Sequence, residues 1–599
     1  MSKIRSIQIA SLLYLIILCS SVLDAFAFQS CQGWRRRKDA RFHSSTPSPT
    51  VVLRHEKIFQ PRQRKMRNAK ILHADMATTY SNHDENNSIN NGTPRSQPLA
   101  SISESTSSSA GLEAPSVSTI IRFAFGCVGI WLCGPILSLI DTSAVGLLSG
   151  TAQQAALNPA ITITDDGALL VSFMYTAATN LVAAAYDKDK VSKDYSNTIN
   201  TVVTALQLGS IVGIIFGVVL GGSASYFVRI LLGKGQGNNV AVVCAAERYV
   251  RIRALGMPAA VIIGAAQSAC IGMKDLRSPL VVMVAAAFVN LLGDIIFVPS
   301  THPWLGGAAG AAWATVFSQY AAMIMFVKWL SRKTRPDKSS LKITFVKDEN
   351  VVESTQGILH GQMRFSDLIK APRSNNIARK FLEYLIPVTT TAVGRVSGYI
   401  AMAHVVSSAF GTIEMAAQQI VLAFFLCFIP MCDSLNLTAQ SFVPGIYEYS
   451  GNSRIRSEVM KKTGRNFLKA GGIFGIFLTA IVCCMPLLSP LFTNDVAVMA
   501  AVNSTTPYLA SMFALSGIVC SGEGLLLGQK DLKFLSNSFG LFFFVVPCLL
   551  FQVKKAILNG AQGIGLFSVW RIFSFYQAFR CMLWLLRLKQ LAIKDESRS

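Results

Sequence analysis

Apolar stretches long enough to cross a bilayer, about 20 residues each, recur along this chain from Ile120 onward. They fall near 120–148, 167–186, 199–221, 248–271, 278–298, 306–330, 380–410, 414–436, 466–491, 506–527, 532–552 and 562–588. The pattern predicts an all-α integral membrane protein with twelve transmembrane helices. The two halves repeat. Gly272-Met-Lys274-Asp275-Leu276 after the fourth span returns as Gly528-Gln-Lys530-Asp531-Leu532 after the tenth. Ala152-Gln153-Gln154 returns as Ala417-Gln418-Gln419, and Gly307-Ala-Ala-Gly310 as Gly560-Ala-Gln-Gly563. The offsets are nearly constant and in order, which points to duplication. Six spans per half is an even number, so the halves share one orientation. They should form two six-helix lobes related by a pseudo-two-fold along the membrane normal, with a path between them.

Loop charge sets the orientation. Basic residues fill the even-to-odd loops, including Lys188, Lys190 and Lys193, Lys274 and Arg277, Arg454 to Arg465, and Lys530 and Lys533. The opposite loops are poorer in them, so both termini are expected on the cytosol-like side. The N lobe is expected over 119–330 and the C lobe over 380–590, joined by a charged, mobile linker at 331–379 and followed by a polar tail at 591–599.

Composition agrees. The 599 residues are 51% hydrophobic and 15% charged, where a soluble chain carries roughly 25% charge. The net charge of +23 would suggest nucleic acid, but the basic residues cluster in loops around apolar spans, so no nucleic-acid partner is expected. The 13 cysteines lie largely in apolar spans without zinc or redox spacing and are expected to be small apolar fillers.

The N-terminus reads as an address. Lys3 and Arg5 precede the apolar run Ile7 to Leu23, a signal peptide over 1–27. Residues 28–118 begin with Arg35-Arg36-Arg37-Lys38, stay rich in Ser, Thr, Asn and Arg, and should be disordered toward their end. With Ala25-Phe26-Ala27-Phe28 at the junction, this resembles the bipartite presequences of algae with secondary plastids. That implies a plastid-envelope location. The alternative is a secretory signal before a polar tail, with an endomembrane or plasma-membrane destination.

The chemistry lies in polar residues inside apolar spans. Asp141 stands in the first, and Asn290 and Asp294, one turn apart on one face, in the fifth. A charged side chain in such a span costs about 2.5–3.5 kcal/mol on insertion scales, so its presence points to an ion, a proton or a substrate. If both carboxylates face one cavity, repulsion and desolvation favour taking up a proton. The same oxygens with the Asn290 amide suit sodium. Thr315 in the sixth span offers a further hydroxyl. The alternative is that these groups merely bond helix to helix.

The seventh span carries Arg395 and His404, the eighth Asp433, the tenth Glu523 and the twelfth Arg571. Arg395 could bind a carboxylate substrate or an internal carboxylate. Gln418 and Gln419 could reach substrate or serve structure. No phosphate loop of the Gly-x-x-x-x-Gly-Lys-Ser/Thr type and no His-Glu-x-x-His motif occurs, which argues against ATP-driven transport by this chain alone and against a zinc enzyme.

These residues resemble the multidrug and toxic compound extrusion (MATE) antiporters. Pro135 with Leu139-Ile-Asp-Thr142 resembles their first helix, and Asn290-x-x-x-Asp294 followed by Gly310-Ala-Ala-Trp-Ala-Thr315 their fifth and sixth. Ala416-Ala-Gln-Gln419 stands where the family has Ala-Ala-His-Gln. Ala178-Thr-Asn-Leu-Val182 and Gly522-Glu-Gly-Leu-Leu-Leu-Gly528 resemble the DinF-type branch with plant plastid-envelope members, whose substrates include salicylate and related aromatic acids.

The resemblance implies a secondary transporter, not an enzyme. Its expected site is a cation site of Asp141, Asn290, Asp294 and Thr315, with proton or sodium as coupling ion and no cofactor. Arg395, Gln418 and Arg571 are the candidate substrate contacts. Another branch has an acidic residue where Arg395 stands, so a second cation site does not carry over, and an anionic or neutral substrate is favoured. The expected partners are the bilayer and a small organic molecule, with the chain a monomer. The alternatives are a lipid-linked precursor flippase of the same superfamily or an intramembrane transferase.

Overall fold

The computed structural model describes residues 112–192, 194–236, 240–331, 359, 365–491 and 495–597. The signal peptide, most of the transit-like segment and much of the charged linker lie outside them. Twelve helices of 21 residues or more occupy the described chain. In order they are α1 Val117–Ser149, α2 Ser172–Ser192, α3 Ser196–Gly222, α4 Val240–Gly272, α5 Arg277–Phe297 and α6 Gly307–Ser331, then α7 Leu385–Ala409, α8 Thr412–Tyr447, α9 Ser453–Cys483, α10 Val496–Gly528, α11 Leu532–Leu558 and α12 Leu566–Glu596. Each predicted span falls on one of them. Ten are both long and apolar enough to cross a membrane. The remaining two, α7 and α12, are 25 and 31 residues long and carry the half-buried Arg395 and the buried Arg580.

Local chemistry sets the ends. Ser116 caps α1 by accepting from Thr119 N at 3.2 Å, and Asp495 caps α10 by accepting from Ala497 N at 2.8 Å, satisfying amides that have no partner inside the helix. Lys274 and Lys530 both adopt left-handed backbone, φ 63° and 59°, at the same place in the two repeated motifs. Each turn is closed alike: Asp275 N donates to Cys270 O and Asp531 N to Leu526 O, both at 2.9 Å. Each lysine then grips the end of the second helix of its own half, Lys274 on Asp187 at 2.5 Å and Lys530 on Glu448.

Packing repeats as well. In the N lobe α4 packs on α2, α3 and α6, and α1 on α5; in the C lobe α10 packs on α8, α9 and α12, and α7 on α11. Of the ten apolar spans, α4 and α10 are the most enclosed. Close approach rests on glycines. A Cβ at Gly213 would sit 2.7 Å from Pro258 Cα, and one at Gly471 would sit 2.5 Å from Gly517 O. Gly471→Val should therefore destabilise the α9–α10 contact by about 1–3 kcal/mol. Thermal unfolding in detergent checks this, and an unchanged midpoint would contradict it.

The lobes meet through α1 and α2 on one side and α7 and α8 on the other. Asn180 Nδ2 on α2 donates to Gln440 Oε1 on α8 at 3.0 Å, Phe123 meets Phe442 at 5.2 Å, and Lys274 lies 5.0 Å over the Phe442 ring. These contacts gather at the ends that bear the basic loops.

Two features depart from the sequence reading. The end of the expected mobile linker is built: a 3-10 turn at Phe365–Ile369 precedes a helix at Asn375–Leu382. Gln207 on α3 ties it down, donating to Asp367 O at 2.9 Å and accepting from Arg373 N at 2.7 Å. The chain before α2 is not a plain loop either. A helix at Thr151–Ile161 runs into a π-helical turn at Thr162–Asp166, whereas α8, the counterpart in the second half, is unbroken over 36 residues.

Candidate functional site

In the N lobe, Asp141, Asn290 and Asp294 are 7%, 1% and 1% exposed, a burial that forces each to find partners. Asn290 Nδ2 donates to Asp141 Oδ1 at 2.5 Å and reaches Asp294 Oδ2 at 3.4 Å. Thr315 Oγ1 lies 3.3 Å from Asp141 Oδ2 and also donates to Ala311 O in its own helix at 2.9 Å. Ser318 Oγ faces Asn290 Oδ1 at 3.4 Å. Three helices supply these groups. Gly293 lets α5 and α6 touch, since a Cβ there would stand 2.7 Å from Ala314 Cβ, and this closeness brings Thr315 beside the carboxylates. Asp294 Oδ1 is buried with no hydrogen-bond partner among the described residues. A buried oxygen left open between two carboxylates is a place for a proton or a small cation.

The C lobe holds a different cluster. Glu523 on α10 bridges two arginines: Arg395 Nη2 from α7 bonds Oε1, and Arg580 Nη2 from α12 bonds Oε2 at 2.6 Å. Asp433 stands 3.8 Å from Arg395 Nη1 and accepts from Cys520 Sγ at 3.5 Å. Aromatic rings enclose the guanidinium groups. Phe539 lies 5.7 Å from Arg395 and 5.2 Å from Arg580, which also faces Tyr576 at 5.3 Å. Two arginines and two carboxylates balance in charge, so this cluster is compensated where the N-lobe pair is not.

The family comparison bears on the same residues. The MatE family model matches residues 128–296, a stretch that takes in Asp141, Asn290 and Asp294. Over these residues the chain is similar to the MATE family. Protein DETOXIFICATION 47, chloroplastic, of Arabidopsis thaliana is 27% identical over 472 residues, covering 78% of this chain and 77% of that one. DETOXIFICATION 44, chloroplastic, of the same plant is 27% identical over 446 residues, covering 72% and 76%. Among solved structures, an outward-facing multidrug-resistance MATE transporter shares the fold with a TM-score of 0.62 at 16% identity, covering 81% of this chain and 98% of that one. MATE members are secondary transporters and not enzymes, and the ten helices long and apolar enough to cross a membrane fit such a protein.

Of the residues singled out in the sequence, the structure brings Asp141, Asn290, Asp294 and Thr315 into one group. Arg395 is engaged by Glu523 and Asp433, with its side chain 31% exposed. Gln418 is buried and its Oε1 accepts from Trp570 Nε1 at the start of α12 at 2.8 Å. Its repeat partner Gln153 accepts from Ala308 N at the start of α6 at 3.3 Å. Arg571 is exposed on α12. His404 faces Lys554 Nζ at 3.0 Å on the surface.

Sequence reasoning missed Arg580, which stands among the other basic residues of α12, and Arg253 on α4, which pairs with Asp165 at 2.9 Å. Arg253 follows Arg248 and Arg251 in a row that reads as a basic helix end. Its signal was spacing: residues 251 and 253 cannot share a helix face, so one had to point inward.

Proposed function

We propose that this chain is a MATE-family, cation-driven antiporter that exports small organic molecules, aromatic or carboxylated metabolites or xenobiotics, by alternating access. The observation that carries this reading is the Asp141–Asn290–Asp294–Thr315 group, two carboxylates buried in one lobe with an open oxygen. Binding of a proton or sodium there changes the charge buried in the lobe and so biases one arrangement of the lobes over another. The contacts at the basic-loop ends, Asn180 with Gln440 and Lys274 over Phe442, are those that an opposite-facing state must break. The chloroplastic relatives support a plastid-envelope location, and the chain is taken to act as a monomer.

Proteoliposomes loaded with salicylate test the reading. An imposed proton or sodium gradient should speed efflux above the rate without one, and efflux indifferent to both gradients would contradict it. The partly exposed Arg395 is the candidate contact for a substrate carboxylate. Arg395→Ala should slow salicylate efflux by about tenfold and salicylamide efflux much less, the value of one lost charge-assisted bond. Equal losses for acid and amide would remove Arg395 from substrate recognition.

A further inference from the structure

Arg253 is a buried cation that the transport reading has not used. It is 7% exposed, and it spends one nitrogen on Asp165, Nη2 to Oδ1 at 2.9 Å. Its Nε and Nη1 are buried without a hydrogen-bond partner among the described residues. An arginine has five N–H donors, and leaving the three on Nε and Nη1 buried and idle is costly unless the charge itself is needed. Asp165 stands on the π-helical turn that interrupts this half and not the other, and Thr164 Oγ1 donates to it at 3.2 Å. Such turns favour functional positions.

Arg253 lies within electrostatic reach of the carboxylate group. Tyr249, one turn before Arg253, is within electrostatic reach of Arg253, Asp165, Asp141 and Asp294 together, and Arg253 is within reach of Asp141. The neighbouring elements add little charge. Helix α3 and the helix at Thr151–Ile161 have no ionisable side chain, α6 brings Lys328 near its far end, and the charged residues of α2 lie at its last turns. Around the site the lobe therefore holds the buried Asp141 and Asp294, the half-exposed Asp165 and one buried fixed cation, Arg253.

We propose that Arg253 determines which cation this site accepts, by opposing sodium and leaving the proton as coupling ion. The proposal rests on the antiporter reading. A fixed positive charge opposes both cations electrostatically. The proton forms a covalent O–H bond and withstands that opposition. Sodium is held by ion–oxygen contacts alone and does not. The hydrogen bonds point the same way. Asn290 turns its amide nitrogen toward both carboxylates, while its oxygen faces Ser318, so an N–H donor spans the gap where sodium needs oxygen.

Direct binding of radioactive sodium to the full-length chain in nanodiscs tests this without any organic substrate. The wild type should show no saturable sodium binding that Asp141→Asn removes. Arg253→Gln should gain such saturable binding, and Arg253→Lys, which keeps the charge, should behave as wild type. Sodium binding by the wild type through Asp141 overturns the proposal, as does a folded Arg253→Gln protein that binds none. The salicylate assay separates the two claims. If efflux ignores both gradients the antiporter reading fails, whereas if sodium drives wild-type efflux as well as protons do, only the Arg253 assignment fails.

Discussion

Asp141→Asn and Asp294→Asn should each reduce gradient-driven salicylate efflux to the level of protein-free vesicles while leaving the protein folded. The loss is expected to be complete because the two carboxylates are the groups whose charge a bound cation changes, and an amide can neither take up a proton in this range nor neutralise sodium. Folding should survive because an amide oxygen at 141 can still accept from Asn290 Nδ2, the contact now measured at 2.5 Å. Burying a neutral amide in place of a carboxylate also lowers the desolvation cost. Thr315→Ala should give only a partial loss, since its hydroxyl already has a partner in Ala311 O. Vesicle efflux and thermal unfolding together check these outcomes. Full coupled efflux by either asparagine variant would remove the N-lobe group from transport.

The largest effect on stability is expected in the other lobe. Glu523→Gln should destabilise the protein by about 3–5 kcal/mol, the usual cost of removing one partner from a buried ion pair. Glu523 is the carboxylate shared by Arg395 and Arg580, and its side chain is 5% exposed. Without it Arg580 keeps Gln577 Oε1 at 3.1 Å and its aromatic neighbours, but no anion. Asp433→Asn should cost far less, because Asp433 stands at 3.8 Å from Arg395 and is 25% exposed. Midpoints of thermal unfolding in detergent give the comparison. Equal losses for the two variants would mean that Glu523 is not the keystone of the cluster.

The fold was legible because its signals are local. Twelve apolar runs marked twelve helices, and short repeated motifs marked the two halves. The turns at Lys274 and Lys530 show why those motifs recur: each sets a left-handed residue and a lysine that grips the second helix of its own half. The N-lobe group was legible because a carboxylate in an apolar helix is conspicuous. What escaped depended on direction or partnership. Arg253 was hidden in a run of arginines of which two face outward, and its partner Asp165 falls between two apolar spans, where no periodicity announces a π-helical turn. Arg395, Asp433 and Glu523 were each visible, but their joining through Glu523 was not, since a sequence does not tell which of several carboxylates a helix crossing will bring to an arginine.

One measurement bears most directly on the claim that buried N-lobe carboxylates couple cation entry to organic export. Proteoliposomes holding a pH-sensitive dye, loaded with salicylate and set without any imposed ion gradient, should acidify inside as salicylate leaves, and vesicles with Asp141→Asn should not. Sodium entry in place of protons, followed with a sodium dye in parallel, would preserve coupling through the same group. Salicylate leaving with no cation entering, or the same entry through Asp141→Asn, would contradict the account.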